Sequence, residues 1–240
     1  MGDKLSIYDL LATLVPGTLV VGLLAIAMPC LAAHFKSLSL PDVFAGVVLT
    51  AVAIFAGNVI QAVGSLIDPL LNWTWIGTWR RFPSELALEN GLGDRYLPKE
   101  AADRIREKLT ATVKEGTGNR SLFLYAMQQA EGASSQRVST FNGLVAYHRA
   151  LLIATFAGVV VVVVGMCGWI TVPWSRAVSW VLLVITVVLL LLFWYRTKQR
   201  SFYYVREVLL TAERVIDARP AAAGQQAPHQ PAGVELPLGS

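Results

Sequence analysis

Apolar and polar positions are segregated along this chain. Four stretches contain no Asp, Glu, Lys, Arg or His: residues 10–33, 43–67, 150–175 and 177–195, of 24, 25, 26 and 19 residues. A helix rises about 1.5 Å per residue, so roughly 20 apolar residues cross about 30 Å of hydrocarbon. The pattern therefore predicts four membrane-spanning helices and excludes a single soluble domain. The first stretch is too long for the core of a cleaved signal, and no good small-x-small site follows it, so it is expected to stay.

The connecting segments read as helices with a different period. Ala101, Ile105, Leu109 and Val113 recur every four residues. This predicts a helix over 98–115, with Pro98 in its first turn and Gly116 as its stop. A second short helix is expected over 121–131, ended by Gly132. From about 134, Val138, Phe141, Val145, His148 and Leu152 keep one face and run without a breaker into the third span. That helix should project about 20 Å from the bilayer. Residues 82–97, with Pro83, Gly91 and Gly93 and followed by Pro98, read as a loop or short-helix region. Beyond the fourth span, Phe202, Val205, Leu209, Ala212 and Ile216 alternate spacings of three and four. This is an a/d seam two heptads long, packing either on helices of its own chain or on another subunit. From 218 to 240 Ala, Pro, Gly and Gln dominate, and a disordered tail is expected.

The predicted class is all-α: a four-helix transmembrane protein with a cytoplasmic helical extension. Its parts are a first transmembrane hairpin and interfacial segment (1–81), a cytoplasmic helical region (82–149), a second hairpin (150–196), a juxtamembrane helix (197–217) and the tail (218–240).

Composition then sharpens this picture. The overall 15% of charged residues averages 94 residues at zero with 146 at about one in four. Positive residues accumulate on the cytoplasmic side of a membrane. Ten Lys and Arg flank the helix ends on one side, among them Arg80, Arg81, Arg149, Arg196 and Lys198, against Lys36 and Arg176 on the other. Both termini and the central segment are therefore expected to be cytoplasmic, in a bacterial inner membrane. All seven tryptophans fall near predicted boundaries, where their amphipathic rings favour the headgroup region. The net charge of +4 needs no nucleic-acid partner, because anionic lipid headgroups suffice as counter-charge.

Chemistry-bearing residues are sparse. Acid, base and arginine side chains are missing from the spans, which weighs against proton-coupled transport and voltage sensing. Mid-membrane polarity concentrates in span two. Gly46, Thr50, Ala53, Gly57, Gln61, Gly64 and Asp68 follow one helical face, with Asn58 and Ser65 beside it. One reading is a packing seam of small residues and cross-helix hydrogen bonds. The other is the wall of a pore assembled from several copies, with Asp68 as a ring of negative charge at its cytoplasmic mouth. Pro16 and Gly17 imply a kinked or interrupted first span, either a gating hinge or a static kink. Cys30 and Cys167 are placed at the outer ends of spans one and three, and His34, His148 and His229 are scattered. No catalytic motif, metal ligand set or cofactor fingerprint is present, so no enzyme activity and no cofactor are expected.

Tyr8-Asp9-Leu10 leads into a span broken by Pro16-Gly17, a helical insert separates spans two and three, and Phe141-Asn142 and Arg149 lie on the helix entering span three. In this arrangement the chain resembles bacterial four-span membrane proteins associated with anti-phage defence. The resemblance implies a homo-oligomeric effector that permeabilises or depolarises the inner membrane under control of a cytosolic protein or a nucleotide-derived signal. It carries over no ligand-binding residue. The expectation is thus a pore-forming or membrane-disrupting effector. The alternative is a non-conducting anchor or scaffold for a cytosolic partner.

Overall fold

The computed structural model describes residues 7–30, 33, 41–73, 82–113, 118–133 and 136–225. The expectations for the tail beyond 225, for Gly116, for the loop at 34–40 and for Arg80, Arg81, Trp75 and Trp79 fall outside the described residues. Among these residues seven helices follow in order: α1 (Ile7–Ala27), α2 (Asp42–Trp73), α3 (Pro83–Asn90), α4 (Lys99–Thr112), α5 (Asn119–Gly132), α6 (Gln136–Met166) and α7 (Arg176–Gln225). Among the described residues the only strand-like pairing is an isolated bridge between Gly93 and Leu97. The chain is all-α. Helices α1, α2, α6 and α7 are each long and apolar enough to cross a membrane.

These four pack as a bundle in which α1 touches α2 and α6, and α6 touches α2 and α7. Its outer surface is apolar, with Phe55, Phe156, Val184, Val188 and Leu191 exposed. Hydroxyls in the bundle turn back onto their own helices: Thr18 donates to Leu14 O at 2.8 Å, Thr155 to Leu151 O at 2.7 Å and Thr186 to Leu182 O at 2.8 Å. Such bonding keeps polar groups satisfied where no water is available. The apolar stretch of α7 is the least buried of the four, as a lipid-facing span requires.

Helix α6 ends at a glycine turn. Gly168 takes φ +77. Trp169 N donates to Val164 O at 3.2 Å and Gly168 N to Gly165 O at 3.1 Å. This is the Schellman arrangement, in which a left-handed residue after the helix lets the last carbonyls find donors. Gly168 is therefore a turn residue. Gly158 is in contact, buried against Leu23 and Thr186.

The remaining helices do not form a separate domain. They fold onto the parts of α6 and α7 that continue past the bundle. Ala87 and Leu88 of α3, Ala102, Ile105 and Leu109 of α4, Leu122, Phe123, Ala126 and Ala130 of α5 and Val138 of α6 share one core with Val205, Val208, Leu209 and Ala212 of α7. Each large apolar side chain so buried contributes about 1.5–3 kcal/mol. Pro98 caps α4 rather than joining its first turn. Residues 91–97 form a tight loop whose Gly91, at φ +72, leaves room for Leu97 O only 2.7 Å from where a Cβ would stand. The loop delivers Leu97, which is fully buried, to the core.

Three sequence boundaries dissolve in this arrangement. Helix α6 crosses 149/150 and α7 crosses both 196/197 and 217/218 without interruption. No Gly or Pro occurs between 177 and 219 to stop α7. Its backbone stays helical to Gln225, so the first eight residues assigned to a disordered tail belong to the helix.

Candidate functional site

The stripe on α2 divides between an inward and an outward face. Ala53, Gly57 and Gly64 are buried and Gln61 half-buried, whereas Gly46, Thr50, Asn58 and Ser65 are exposed. The inward face is a crossing with α1. A Cβ at Gly17 would stand 1.8 Å from Ala53 O, and one at Gly57 would stand 2.0 Å from Thr13 O. The two glycines let each backbone press against a carbonyl of the other helix, a closeness that any side chain would forbid.

Pro16 explains the most polar member of that face. Proline has no N–H, so the carbonyl four residues earlier loses its helical donor. That carbonyl belongs to Ala12, which is buried. Gln61 Nε2 donates to Ala12 O at 3.1 Å and to Thr13 Oγ1 at 3.3 Å. An α2 side chain thus replaces the bond that Pro16 deletes from α1. Helix α1 consequently runs through Pro16 and Gly17 without the interruption considered from sequence. Both residues are buried at the crossing.

The outward members satisfy themselves locally. Thr50 Oγ1 donates to Gly46 O at 2.8 Å, Asn58 Nδ2 to Ile54 O at 3.0 Å and Ser65 Oγ to Ala62 O at 2.7 Å.

At the basic end of the bundle the stripe meets α6. Arg149 Nη1 donates to Asp68 Oδ2 at 2.5 Å. The arginine stem lies across Gly64, where a Cβ would stand 2.9 Å from Arg149 Nε. Gly64 is small because Arg149 passes over it. Asp68 is accordingly half of an ion pair within the chain, not an isolated carboxylate free to line a mouth. Sequence reasoning missed this pair although its signal was present: Asp68 and Arg149 directly abut charge-free stretches at the same predicted boundary.

The seam on α7 is used within the chain. Val205, Leu209 and Ala212 are buried in the core described above, and Ile216 packs at its edge. Phe202 is half-buried beside Tyr96, with ring centroids 5.5 Å apart. A polar cluster locks α4 to the same stretch. Arg104 Nε donates to Glu213 Oε1 at 2.7 Å, and Lys108 Nζ donates to Glu213 Oε1 at 3.0 Å and to Asp217 Oδ2 at 2.8 Å. Burial pushes the Glu213 carboxyl up, but the hydrogen bonds from Arg104 and Lys108 outweigh it and leave the group below its ordinary value. The bond to Asp217, followed by that to Glu213, holds Lys108 above its ordinary value.

Cys30 and Cys167 are both free thiols. His148 donates from Nδ1 to Leu144 O at 2.7 Å when that nitrogen carries the proton.

Fold and site define a class: an all-α chain with four helices suited to crossing a membrane, two of which continue past the bundle and carry the shorter helices at the basic end. No family model, characterised protein or solved structure matches the chain.

Proposed function

We propose that the chain is a non-conducting membrane anchor whose basic-end helices form a rigid cytoplasmic platform for a cytosolic partner. The observation that supports this reading is the use made of the inward stripe. Gly57, Gln61 and Gly64 are engaged by α1 and α6 of the same chain, so they are not free to line a common axis. Arg149 neutralises Asp68, which removes the charge a cation-selective mouth would need. The platform shares α6 and α7 with the bundle, which suits a scaffold that must hold its partner at a fixed distance from the bilayer.

The test is thiol accessibility. In a Cys30→Ser, Cys167→Ser background, Gln61→Cys in native membranes should resist a membrane-impermeant thiol reagent, while a cysteine at exposed Arg95 on the platform should react. Rapid labelling at 61 would mean a water-filled path along α2 and would overturn the anchor.

One observation favours the second reading, an oligomeric effector. Asn58 is exposed in the middle of an apolar helix, and its amide retains hydrogen-bonding capacity after the single bond to Ile54 O. An amide facing lipid is costly, and a second copy would cover it. Native mass measurement in mild detergent separates the two: a monomer removes the effector reading, and an oligomer that Asn58→Leu dissociates restores it.

A further inference from the structure

Asp68, Arg149 and Lys198 come from three different helices but lie at one depth. Asp68 follows the charge-free stretch ending at 67, Arg149 precedes the one starting at 150, and Lys198 comes three residues after the one ending at 195. Together with Asn142, Ser84 and Tyr204 they line a cavity of about 220 Å³. Lys198 is only 7% exposed, and its ammonium lies 4.9 Å from the centroid of the Trp194 ring. Arg149 uses Nη1 on Asp68, whereas its buried Nε has no hydrogen-bond partner among the described residues. Among the described lining residues two cations stand against one carboxylate, an excess of one formal positive charge.

Below it, on the same three helices, runs an apolar groove of about 520 Å³ lined by Val63, Ile67, Ile153, Phe156, Leu191 and Trp194. Leu71 lines both spaces. Seven residues of α6 separate Arg149 from Phe156, about 10 Å along the helix. A cationic cavity at the headgroup level thus continues into an apolar groove at the acyl level.

We propose that this composite site binds one anionic phospholipid, its phosphodiester in the cavity and an acyl chain in the groove. The inference takes the four apolar helices as membrane spans and is independent of whether the chain conducts. Charge selects the ligand class. A phosphodiester carries one negative charge and matches the net charge of the cavity, whereas a free phosphate carries about −1.5 to −2 and would leave buried charge uncompensated. The groove adds affinity only for a ligand with chains. Basic pockets between membrane helices are suited to such headgroups.

The full chain, purified in mild detergent, is titrated with short-chain phosphatidylglycerol, phosphatidylcholine of the same chain length, glycerol phosphate and inorganic phosphate. Bound lipid is counted by native mass spectrometry. One phosphatidylglycerol per chain is expected at a concentration at least tenfold below that of phosphatidylcholine, with no measurable binding of either chainless anion. Lys198→Gln should weaken phosphatidylglycerol about tenfold, the loss of one charge-assisted contact, and Lys198→Arg should retain it. Val63→Trp, on the exposed wall of the groove, should also weaken it. This variant decides the matter if Lys198→Gln does not fold. Equal binding of the two lipids, chainless anions binding as tightly as phosphatidylglycerol, or unchanged binding in Val63→Trp would each overturn the proposal.

Discussion

The bond from Gln61 to the carbonyl that Pro16 leaves without a donor makes a quantitative demand on stability. Removing the amide with Gln61→Leu keeps the bulk but strands Ala12 O in an apolar crossing, where Ala12 is 1% exposed. A buried carbonyl without a donor costs about 1–3 kcal/mol, and the second bond, to Thr13 Oγ1 at 3.3 Å, is long and contributes less. We therefore expect Gln61→Leu to destabilise the protein by about 2 kcal/mol. Pro16→Ala restores an N–H at position 16, so Ala12 O regains a donor within its own helix. In that background Gln61→Leu should cost about 0.5 kcal/mol or less, leaving a coupling of at least 1 kcal/mol between two residues 45 positions apart. Stability is read from reversible unfolding in mixed micelles for the wild type, both single variants and the double variant. A cost for Gln61→Leu that is the same with Pro16 and with Ala at 16 would refute the reasoning, because the amide would then not be serving that carbonyl.

Three further outcomes are expected. Gly57→Ala brings a Cβ to 2.0 Å from Thr13 O; forcing α1 and α2 apart should cost about 1–3 kcal/mol, while Gly46→Ala, which meets nothing within 4 Å, should leave unfolding unchanged or shift it upward by helix propensity. Asp68→Asn leaves Arg149 with an unmatched charge and should destabilise by about 1–3 kcal/mol, and pairing it with Arg149→Met should recover part of that loss in a double-mutant cycle. Glu213 has its folded pKa depressed, so its contribution is present above the unfolded carboxylate value of about 4.3 and is lost as pH falls through the lower folded value; Lys108 has its pKa raised, so its contribution is present below about 10.4 and is lost as pH rises through the higher folded value. Thermal unfolding against pH should show a plateau between those limits, and Glu213→Gln should flatten the acid side.

The four apolar helices and the α6 extension were legible because each is written in local composition or a single helical period. Val138, Val205, Leu209 and Ala212 were legible as buried positions for the same reason. The period could not say what buried them, since a heptad seam looks the same whether its partner is α5 of its own chain or a second chain. The stripe shows the same division. Spacing placed Gly57, Gln61 and Gly64 on one face, and the reason for each lies on another helix: Thr13 O for Gly57, Ala12 O for Gln61 and the Arg149 stem for Gly64. The sequence leaves Pro16 between a hinge and a static kink and Gln61 between a packing seam and a pore wall, because a missing N–H and a spare amide are 45 residues apart in sequence and meet only in space.

Continuity of α6 and α7 sets how the bilayer and the platform influence each other. Residues 196–225 extend α7 by about 45 Å beyond its apolar stretch, at 1.5 Å per residue. Residues 196–213 of that extension carry the core residues Val205, Val208, Leu209 and Ala212 and the Glu213 carboxylate of the polar cluster. A hydrogen-bonded helix without Gly or Pro bends only gently. A shift of the fourth span by one residue of depth would therefore move these α7 core residues by about 1.5 Å against α4 and α5. Packed cores do not deform continuously over such distances. The platform must move with the span or lose its packing. A proline at Gln199, where α7 leaves the bundle and before the core begins, should break this linkage at a cost of about 3 kcal/mol or more. Trypsin would then cut the arginines between 196 and 206 faster in Gln199→Pro than in the wild type while sites within α4 stayed protected. Equal cleavage of α4 would mean that the platform has no packing of its own once the helix is broken.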